Sequence, residues 1–245
     1  MTPEQRLADT FVALAGSTRD GAPDIPGTLS LLAHRTPPLL GVRAATVVFV
    51  PGEREETRVY GSNPEVSRLE RDSVGRHEGP GHDFRHADEH PIQAALDSRP
   101  TVLRWPHYTS RAVELGYTHA AALPLRGHTR TSGALVLLSG PGSDFSPRTL
   151  QLGQSVADFT AVILESAYEA ERSRTLTAQL EQALTSRVII EQAKGVLATQ
   201  RSLTMGDAFN LLRRHARSHQ RLLSDVAREV VEGRPDPELA NPKAQ

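Results

Sequence analysis

Apolar residues recur at helical intervals towards the end of the chain, from residue 184 to residue 231. The pattern divides into three short amphipathic segments, with apolar positions at Val188, Ile190, Ala193, Val196 and Leu197, then Ala208, Phe209, Leu212 and Ala216, then Leu222, Leu223, Val226 and Val230. Steps of one to four residues are typical of helices and not of strands. Thr204, with Asp207 three residues later, predicts a helix N-cap at the first corner, and the second corner falls near 218–219. Because such short helices bury their apolar faces only against one another, the sequence predicts a three-helix bundle over 184–232.

A single long helix is predicted to lead into this bundle. It begins at Ser146-Pro147, with proline in the first helical position, and continues to about Gln200. At 1.5 Å per residue it would span on the order of 80 Å. An apolar stripe of that length needs a partner, so the connecting segment 146–186 predicts a parallel coiled-coil dimer. The alternative is a helix that breaks near Ser173 and folds back on its own N-terminal domain.

The N-terminal part, residues 1–165, mixes helical and strand patterns. Strands are predicted at 44–50, 57–60, 101–103, 120–125 and 134–138, and helices at 4–16, 28–35 (ended by Pro37-Pro38), 65–72, 91–97 and 107–115. A loop is predicted at 75–82, and the Pro-rich tail 233–245 is predicted to be disordered. Strands in an antiparallel sheet with flanking helices make an α+β, sensor-like domain.

The amino-acid composition excludes several kinds of site and of protein. The 245-residue chain has no cysteine, which excludes disulfides, thiolate metal sites, cysteine nucleophiles and thioether-linked chromophores. No run of 18 apolar residues and no basic-then-apolar leader is present. We therefore expect a soluble cytoplasmic protein that does not associate with membranes.

The charges are distributed unevenly along the chain. Residues 171–234 carry 11 basic and 7 acidic residues, a net charge of +4, whereas residues 1–170 carry 16 and 20, a net charge of −4. The basic residues of the C-terminal part form either a solvated helical face or a surface that meets nucleic-acid phosphates.

Several residues of the C-terminal part lie in the register of a known family. They are Ser186-Arg187, Ile190, Ala193-Lys194-Gly195-Val196-Leu197, Ala208-Phe209, Leu212-Arg213-Arg214 and Asp225-Val226-Ala227. This pattern resembles the ANTAR family, small three-helix RNA-binding modules of bacterial transcription antiterminators. The resemblance implies that a dimer binds two paired hairpins in a leader RNA and thereby prevents an overlapping terminator from forming.

The resemblance and the basic residues together indicate candidate RNA-binding positions. They are Arg187, Lys194, Gly195, Arg213, Arg214, Arg217 and Arg221. Each cation has the alternative of being a plain solvated charge, and Ala193 and Gly195 have the alternative of allowing close helix packing. Phe209 is expected in the core.

The chain also departs from the family pattern. Gln200 stands where relatives often have Arg, and Leu222 and Ser224 replace cations on the third helix.

The order of elements in residues 5–165 resembles a GAF domain. The segment His77-Glu78-Gly79-Pro80 is similar to the Glu-Gly-Pro loop of GAF domains fused to ANTAR modules, with Gly81 where relatives often have Cys. The resemblance implies a small-molecule ligand, which the sequence does not identify. Residues 84–89 match half of a cyclic-nucleotide motif, but the other half is absent because Asn63 is followed by Pro64. The whole chain is thus expected to be a GAF-like antiparallel sheet joined by a long helix to a three-helix ANTAR bundle.

Catalysis and metal binding are not expected. His82, His86 and His90 would share one face of a helix and could bind a metal, but flanking Gly and Pro residues favour an exposed polar loop. No set of catalytic residues with a recognisable spacing is present, so we expect neither an enzyme nor a cofactor.

Three functions are consistent with the sequence. The leading one is an RNA-binding transcription antitermination regulator under the control of a GAF sensor. The second is a protein-interaction adaptor in which the same domains act without RNA, which the missing third-helix cations favour. The third is a DNA-binding regulator, although no polar recognition helix is evident.

Overall fold

The structure, a computed structural model, describes residues 2–19, 22–52, 56–84 and 91–240. It consists of two compact units, Met1–Glu169 and Ala170–Gln245. The helices are α1 Pro3–Ala15, α2 Ile25–Leu40, α3 Pro64–Gly75, α4 Pro80–Asp83, α5 Arg99–Arg104, α6 Pro106–Glu114, α7 Pro147–Arg201, α8 Met205–Ser218, α9 Leu223–Val231 and α10 Pro237–Ala240. The strands are β1 Thr18–Arg19, β2 Ala22–Pro23, β3 Ala44–Phe49, β4 Arg58–Gly61, β5 Ile92–Ala95, β6 His119–Arg126 and β7 Thr131–Ser139.

The N-terminal unit is built on a five-stranded antiparallel sheet in the order β4-β3-β7-β6-β5. Alternate residues of β3 point to opposite faces. Val47 and Phe49 pack in one core with residues of α1, α2 and α7, whereas Ala44 packs in a second core with Val66 of α3 and Tyr108 of α6. Helices therefore cover both faces of the sheet, and the predicted α+β fold is confirmed.

Two neighbouring predictions are wrong: a strand forms where a helix was predicted, and a helix forms where a strand was predicted. The predicted helix at 91–97 contains strand β5, which pairs with β6 at the edge of the sheet, and the predicted strand at 101–103 lies within α5. The hydroxyl of Ser98 accepts the backbone N–H of Thr101 at 3.4 Å and caps α5. This N-cap, with Pro100 in the first turn, was the local signal for a helix.

Two further boundaries differ from the prediction. Helix α2 does not end at Pro37-Pro38 but continues to Leu40, because Leu39 and Leu40 pack against the core and Gly41 closes the helix in the left-handed conformation. The predicted loop 75–82 contains the start of α4, whose first residues are buried.

The Glu-Gly-Pro loop has a structural role in the N-terminal unit. The Glu78 carboxylate accepts the backbone N–H groups of His107 at 2.9 Å and Tyr108 at 3.3 Å, and so caps α6. Gly79 has a positive φ of 92°. A Cβ at Gly81 would lie 2.0 Å from a carboxylate oxygen of Glu70. Close packing therefore accounts for glycine at position 81.

The C-terminal unit contains the predicted bundle. Helix α7 is unbroken from Pro147 to Arg201, as expected for one continuous helix. Its last turns pack with α8 and α9 around Ala193, Leu212 and Val226. The Thr204 hydroxyl accepts the backbone N–H of Asp207 at 3.1 Å, which confirms the predicted N-cap.

The tail is ordered further than predicted. Residues 237–240 form α10, and Leu239 is only 1% exposed because it packs into the core of the bundle. The prediction of disorder is wrong for this part, and residues 241–245 lie outside the described chain. Among the described residues, no helix combines the length and the hydropathy of a membrane-spanning segment.

Candidate functional site

Three of the candidate arginines share one face of α8. Arg213, Arg214 and Arg217 are exposed, and at 3.6 residues per turn they span an arc of about 100°. The buried residues of the helix, including Leu212 and Ala216, lie on the opposite side. We call these three arginines the α8 basic face.

The guanidinium groups of this face are available to a ligand. In the described part of the chain, the side chains of Arg213, Arg214 and Arg217 have no hydrogen bond or ion pair. The same holds for Arg187, which is exposed on α7. Four of the seven candidates are therefore unpaired, and three of the four lie together.

Lys194 is not a freely exposed cation. Its side chain is only 16% exposed, and its Nζ is 2.8 Å from a carboxylate oxygen of Glu191. The ammonium also lies 5.6 Å from the centre of the Phe209 ring. Lys194 thus joins α7 to α8, and a phosphate would have to displace Glu191 to reach it.

Arg221 is also paired within the bundle. Both of its terminal nitrogens donate to the carboxylate of Glu229. The hydrogen bonds raise the pKa of the Arg221 guanidinium and lower the pKa of Glu229. The pair spans eight residues and links the corner before α9 to the end of that helix, so Arg221 does not contribute a free charge.

Gly195 lies on an open part of α7. A Cβ at this position would meet no atom within 4 Å, whereas Ala193 is fully buried in the bundle core. Close packing within the chain therefore explains the small side chain of Ala193 but not that of Gly195.

Of the three histidines considered for metal binding, only His82 lies within the described residues. Its Nδ1 is 3.1 Å from Asp83, whose carboxylate also accepts the indole N–H of Trp105 at 2.8 Å. Burial acts to raise the pKa of Asp83, but the hydrogen bonds from Trp105, His82 and Arg104 outweigh it and lower this pKa. His86 and His90 lie outside the described residues.

The N-terminal unit contains a buried polar cluster that the sequence did not indicate. Glu70 is fully buried on α3, where it accepts the hydroxyl of Thr46 at 3.2 Å. Burial raises the pKa of Glu70 to about 7, against the smaller lowering effects of Thr46 and the Gly81 amide. The hydroxyl of Tyr108 is buried nearby with no hydrogen-bond partner among the described residues. In the sequence Glu70 is one of several acidic residues on an amphipathic helix, and only the helix-on-sheet packing buries it.

This burial predicts a pH-dependent stability. Because the unfolded carboxyl of Glu70 ionises near pH 4.5 and the folded one only near pH 7, the wild-type protein loses stability as the pH rises through this range. Glu70→Gln removes the ionisation. We expect the variant to gain on the order of 3 kcal/mol relative to wild type between pH 4.5 and pH 8, measured by urea unfolding.

The matched control is Glu65→Gln, an exposed position on the same helix. Its stability should follow that of the wild type across the pH range. If the difference between Glu70→Gln and the wild type is the same at both pH values, the Glu70 carboxyl is already ionised in the folded protein.

Comparison with known proteins identifies both parts of the chain. Residues 178–231 match the ANTAR domain family. The GAF domain of a phosphoenolpyruvate-protein phosphotransferase from Acinetobacter is 14% identical with a TM-score of 0.50, and the match covers 70% of this chain and 99% of that domain. The corresponding GAF domain from Coxiella burnetii is 18% identical with a TM-score of 0.50, covering 69% and 96%. A search of curated proteins found no match.

At these identities the two structures show the fold of the N-terminal unit alone, and the family model matches only the C-terminal segment 178–231. The chain therefore combines a domain with the GAF fold and, over residues 178–231, an ANTAR domain.

Proposed function

We propose that this protein is an RNA-binding transcription antitermination regulator acting in the cytoplasm. The observation that carries the proposal is the α8 basic face, three arginines on the solvent side of a helix within the ANTAR match that have no ion-pair partner among the described residues. In this proposal the bundle holds folded leader RNA and prevents an overlapping terminator from forming.

The chemistry of the α8 basic face suits RNA. A guanidinium forms two parallel hydrogen bonds to a phosphate and also stacks on unpaired bases, which hairpin loops present. The buried side of α8 holds the helix against the bundle core, so the arginines start from a fixed position. Arg187 adds a further unpaired cation on α7.

We propose that the protein acts as a homodimer through α7. Every residue from 171 to 185 is exposed, including Leu176, Leu180 and Leu184, which are 55%, 62% and 65% exposed. Leucines four residues apart form a stripe on one side of the helix. A parallel partner would cover this stripe and bring two ANTAR domains to two hairpins.

The GAF-fold unit would supply the regulatory input. A small-molecule ligand changes activity only if it binds one arrangement of the dimer more tightly than another. The buried cluster around Glu70 and Tyr108 is one place in this unit where a polar ligand would change the energy of the fold, since both groups are held away from water.

The proposal is tested by crosslinking the protein to RNA in cells and sequencing the recovered fragments. We expect enrichment of leader segments that contain two adjacent hairpins upstream of a terminator. Recovery of duplex DNA instead would indicate a DNA-binding regulator. Recovery of proteins without RNA would indicate the adaptor.

Gly195 provides a separate prediction for the RNA surface. Gly195→Ala should raise the stability by about 0.5–1 kcal/mol, because alanine is the better helix former and its Cβ meets open space. If RNA approaches the α7 backbone here, the same change should weaken RNA binding by roughly tenfold, about 1.4 kcal/mol. Thermal unfolding and a filter-binding titration measure the two effects.

Gly75→Ala on α3 is the matched control, since a Cβ there also meets nothing within 4 Å. It should leave RNA affinity unchanged. A stabilised Gly195→Ala protein that binds RNA as tightly as wild type would remove Gly195 from the RNA surface.

A further inference from the structure

Two histidines at the end of α8 are placed side by side. His215 and His219 are one turn apart, and their rings are stacked with centroids 4.1 Å apart and planes inclined by 30°. His215 is only 6% exposed, whereas the His219 side chain is 38% exposed. Histidines at this spacing direct their rings to the same side of a helix.

The chain after α9 brings carboxylates to this pair. Gly233 turns the chain with a positive φ of 73°, and Leu239 anchors the following segment in the bundle core. Asp236 accepts the backbone N–H of Glu238 through Oδ1 at 2.9 Å, which leaves its other oxygen, Oδ2, 3.9 Å from Nε2 of His215. This segment is therefore held against the histidines by contacts that do not involve them.

The hydrogen bonding of the two rings leaves one nitrogen of each ring available to coordinate a metal ion. Nε2 of His215 is buried and has no hydrogen-bond partner among the described residues. Nδ1 of His219 lies 3.0 Å from the backbone oxygen of His215, to which it can donate a proton. That bond would keep Nε2 of His219 unprotonated, the state in which a histidine nitrogen binds a metal.

We propose that His215, His219 and Asp236 bind a divalent first-row transition metal, with Zn²⁺ as the expected ion. One donor atom from each of the three residues lies within 4.8 Å of the others. Two imidazoles and a carboxylate are a ligand set that zinc accepts, and in a tetrahedral site the donors are about 3.4 Å apart. Small rotations of the His219 and Asp236 side chains would bring the three donor atoms from their present separation, within 4.8 Å, to the separation that a tetrahedral site requires.

Glu238 lies next to both histidine rings. Its Oε2 is 3.7 Å from Nδ1 of His215 and 4.0 Å from Nε2 of His219. The side chain is 56% exposed, so it can turn towards the ion or leave the fourth position to water. The bound metal would fasten the C-terminal segment to α8, the helix that carries the α8 basic face.

The test uses the full-length chain without an affinity tag, stripped with a chelator and titrated with Zn²⁺ against a chromophoric chelator. We expect a bound ion that survives dialysis and raises Tm by about 5 °C or more. Visible absorption of Co²⁺ in the same site should show four-coordinate geometry.

His219→Ala and Asp236→Asn separate this site from other histidines. Each should lower the stoichiometry by one ion, or the affinity by more than about tenfold, and abolish the metal-dependent rise in Tm. The matched control is His34→Ala, an exposed histidine whose Nδ1 likewise contacts the carbonyl oxygen of the residue four positions earlier. It should bind metal as the wild type does.

The proposal is overturned if the wild type retains no Zn²⁺ after dialysis. It is also overturned if His219→Ala and Asp236→Asn bind the ion with unchanged stoichiometry and affinity. Either outcome would leave the histidines as partners of Asp236 and Glu238 in ordinary ion pairs.

Discussion

Replacing Arg213, Arg214 and Arg217 together with alanine is expected to weaken binding of a two-hairpin leader RNA by roughly 10²–10³-fold. Each guanidinium that contacts a phosphate contributes about 1–1.5 kcal/mol after its exchange with water is counted. The slope of log affinity against log salt should also fall by about 2–3, because fewer counterions are released. The fold should persist, since the three positions are exposed and alanine is the best helix former.

The control variant also loses three positive charges, but in the N-terminal unit. Arg71, Arg76 and Arg99 are exposed in the N-terminal unit, and their replacement by alanine should change RNA affinity only slightly. Equal losses in the two triple variants would mean that RNA responds to net charge alone. An unchanged affinity in the α8 variant would favour the adaptor.

Replacing Leu180 and Leu184 with glutamate is expected to convert the proposed dimer to a monomer at micromolar concentrations. Both leucines are largely exposed within one chain, so the change should not unfold the protein. In a coiled coil it places charges in the apolar seam, which costs several kcal/mol. A monomer has one three-helix bundle where the dimer has two. Its affinity for a two-hairpin RNA should therefore be lower by about 10²–10⁴-fold, because the avidity is lost.

Sedimentation velocity measures the assembly, and titration with one-hairpin and two-hairpin RNAs measures the avidity. Ala178→Glu with Gln182→Glu adds the same two charges at exposed positions on the opposite side of α7 and should remain dimeric and bind RNA nearly as tightly. A Leu180→Glu, Leu184→Glu protein that stays dimeric would place the interface elsewhere.

The helices of the C-terminal unit could be predicted from the sequence because their signals are local. Apolar spacing identified most of the residues that meet in the core, and Thr204 identified the start of α8. Three of the predicted apolar positions are not in the core: Val188 and Leu222 are exposed, and Phe209 is half-buried beneath Lys194. By contrast, β5 was missed because its pairing with β6 involves residues distant in the chain. Helix α10 was missed because it is held by Leu239 packing on the bundle, and the local sequence is Pro-rich.

The candidate RNA-binding residues also divide into those whose placement follows from local sequence and those whose placement depends on the folded structure. The grouping of Arg213, Arg214 and Arg217 follows from helix periodicity alone. The pairing of Lys194 with Glu191 could have been anticipated from their three-residue spacing. The pairing of Arg221 with Glu229 could not, because it depends on how the corner before α9 folds.

The candidate metal ligands also divide in this way. The four-residue spacing of His215 and His219 is visible in the sequence. The approach of Asp236 requires the return of the chain after α9, which no local pattern indicates.

We propose that the segment matching the ANTAR family recognises folded RNA through the α8 basic face. The most direct measurement is the affinity of the full-length protein for a two-hairpin RNA and for a DNA duplex of equal length, at one fixed salt concentration. We expect at least about tenfold tighter binding to the RNA, and we expect this preference to be lost in the Arg213, Arg214 and Arg217 alanine variant. Equal affinity for the two nucleic acids, or a preference for RNA that survives removal of the three arginines, would contradict it.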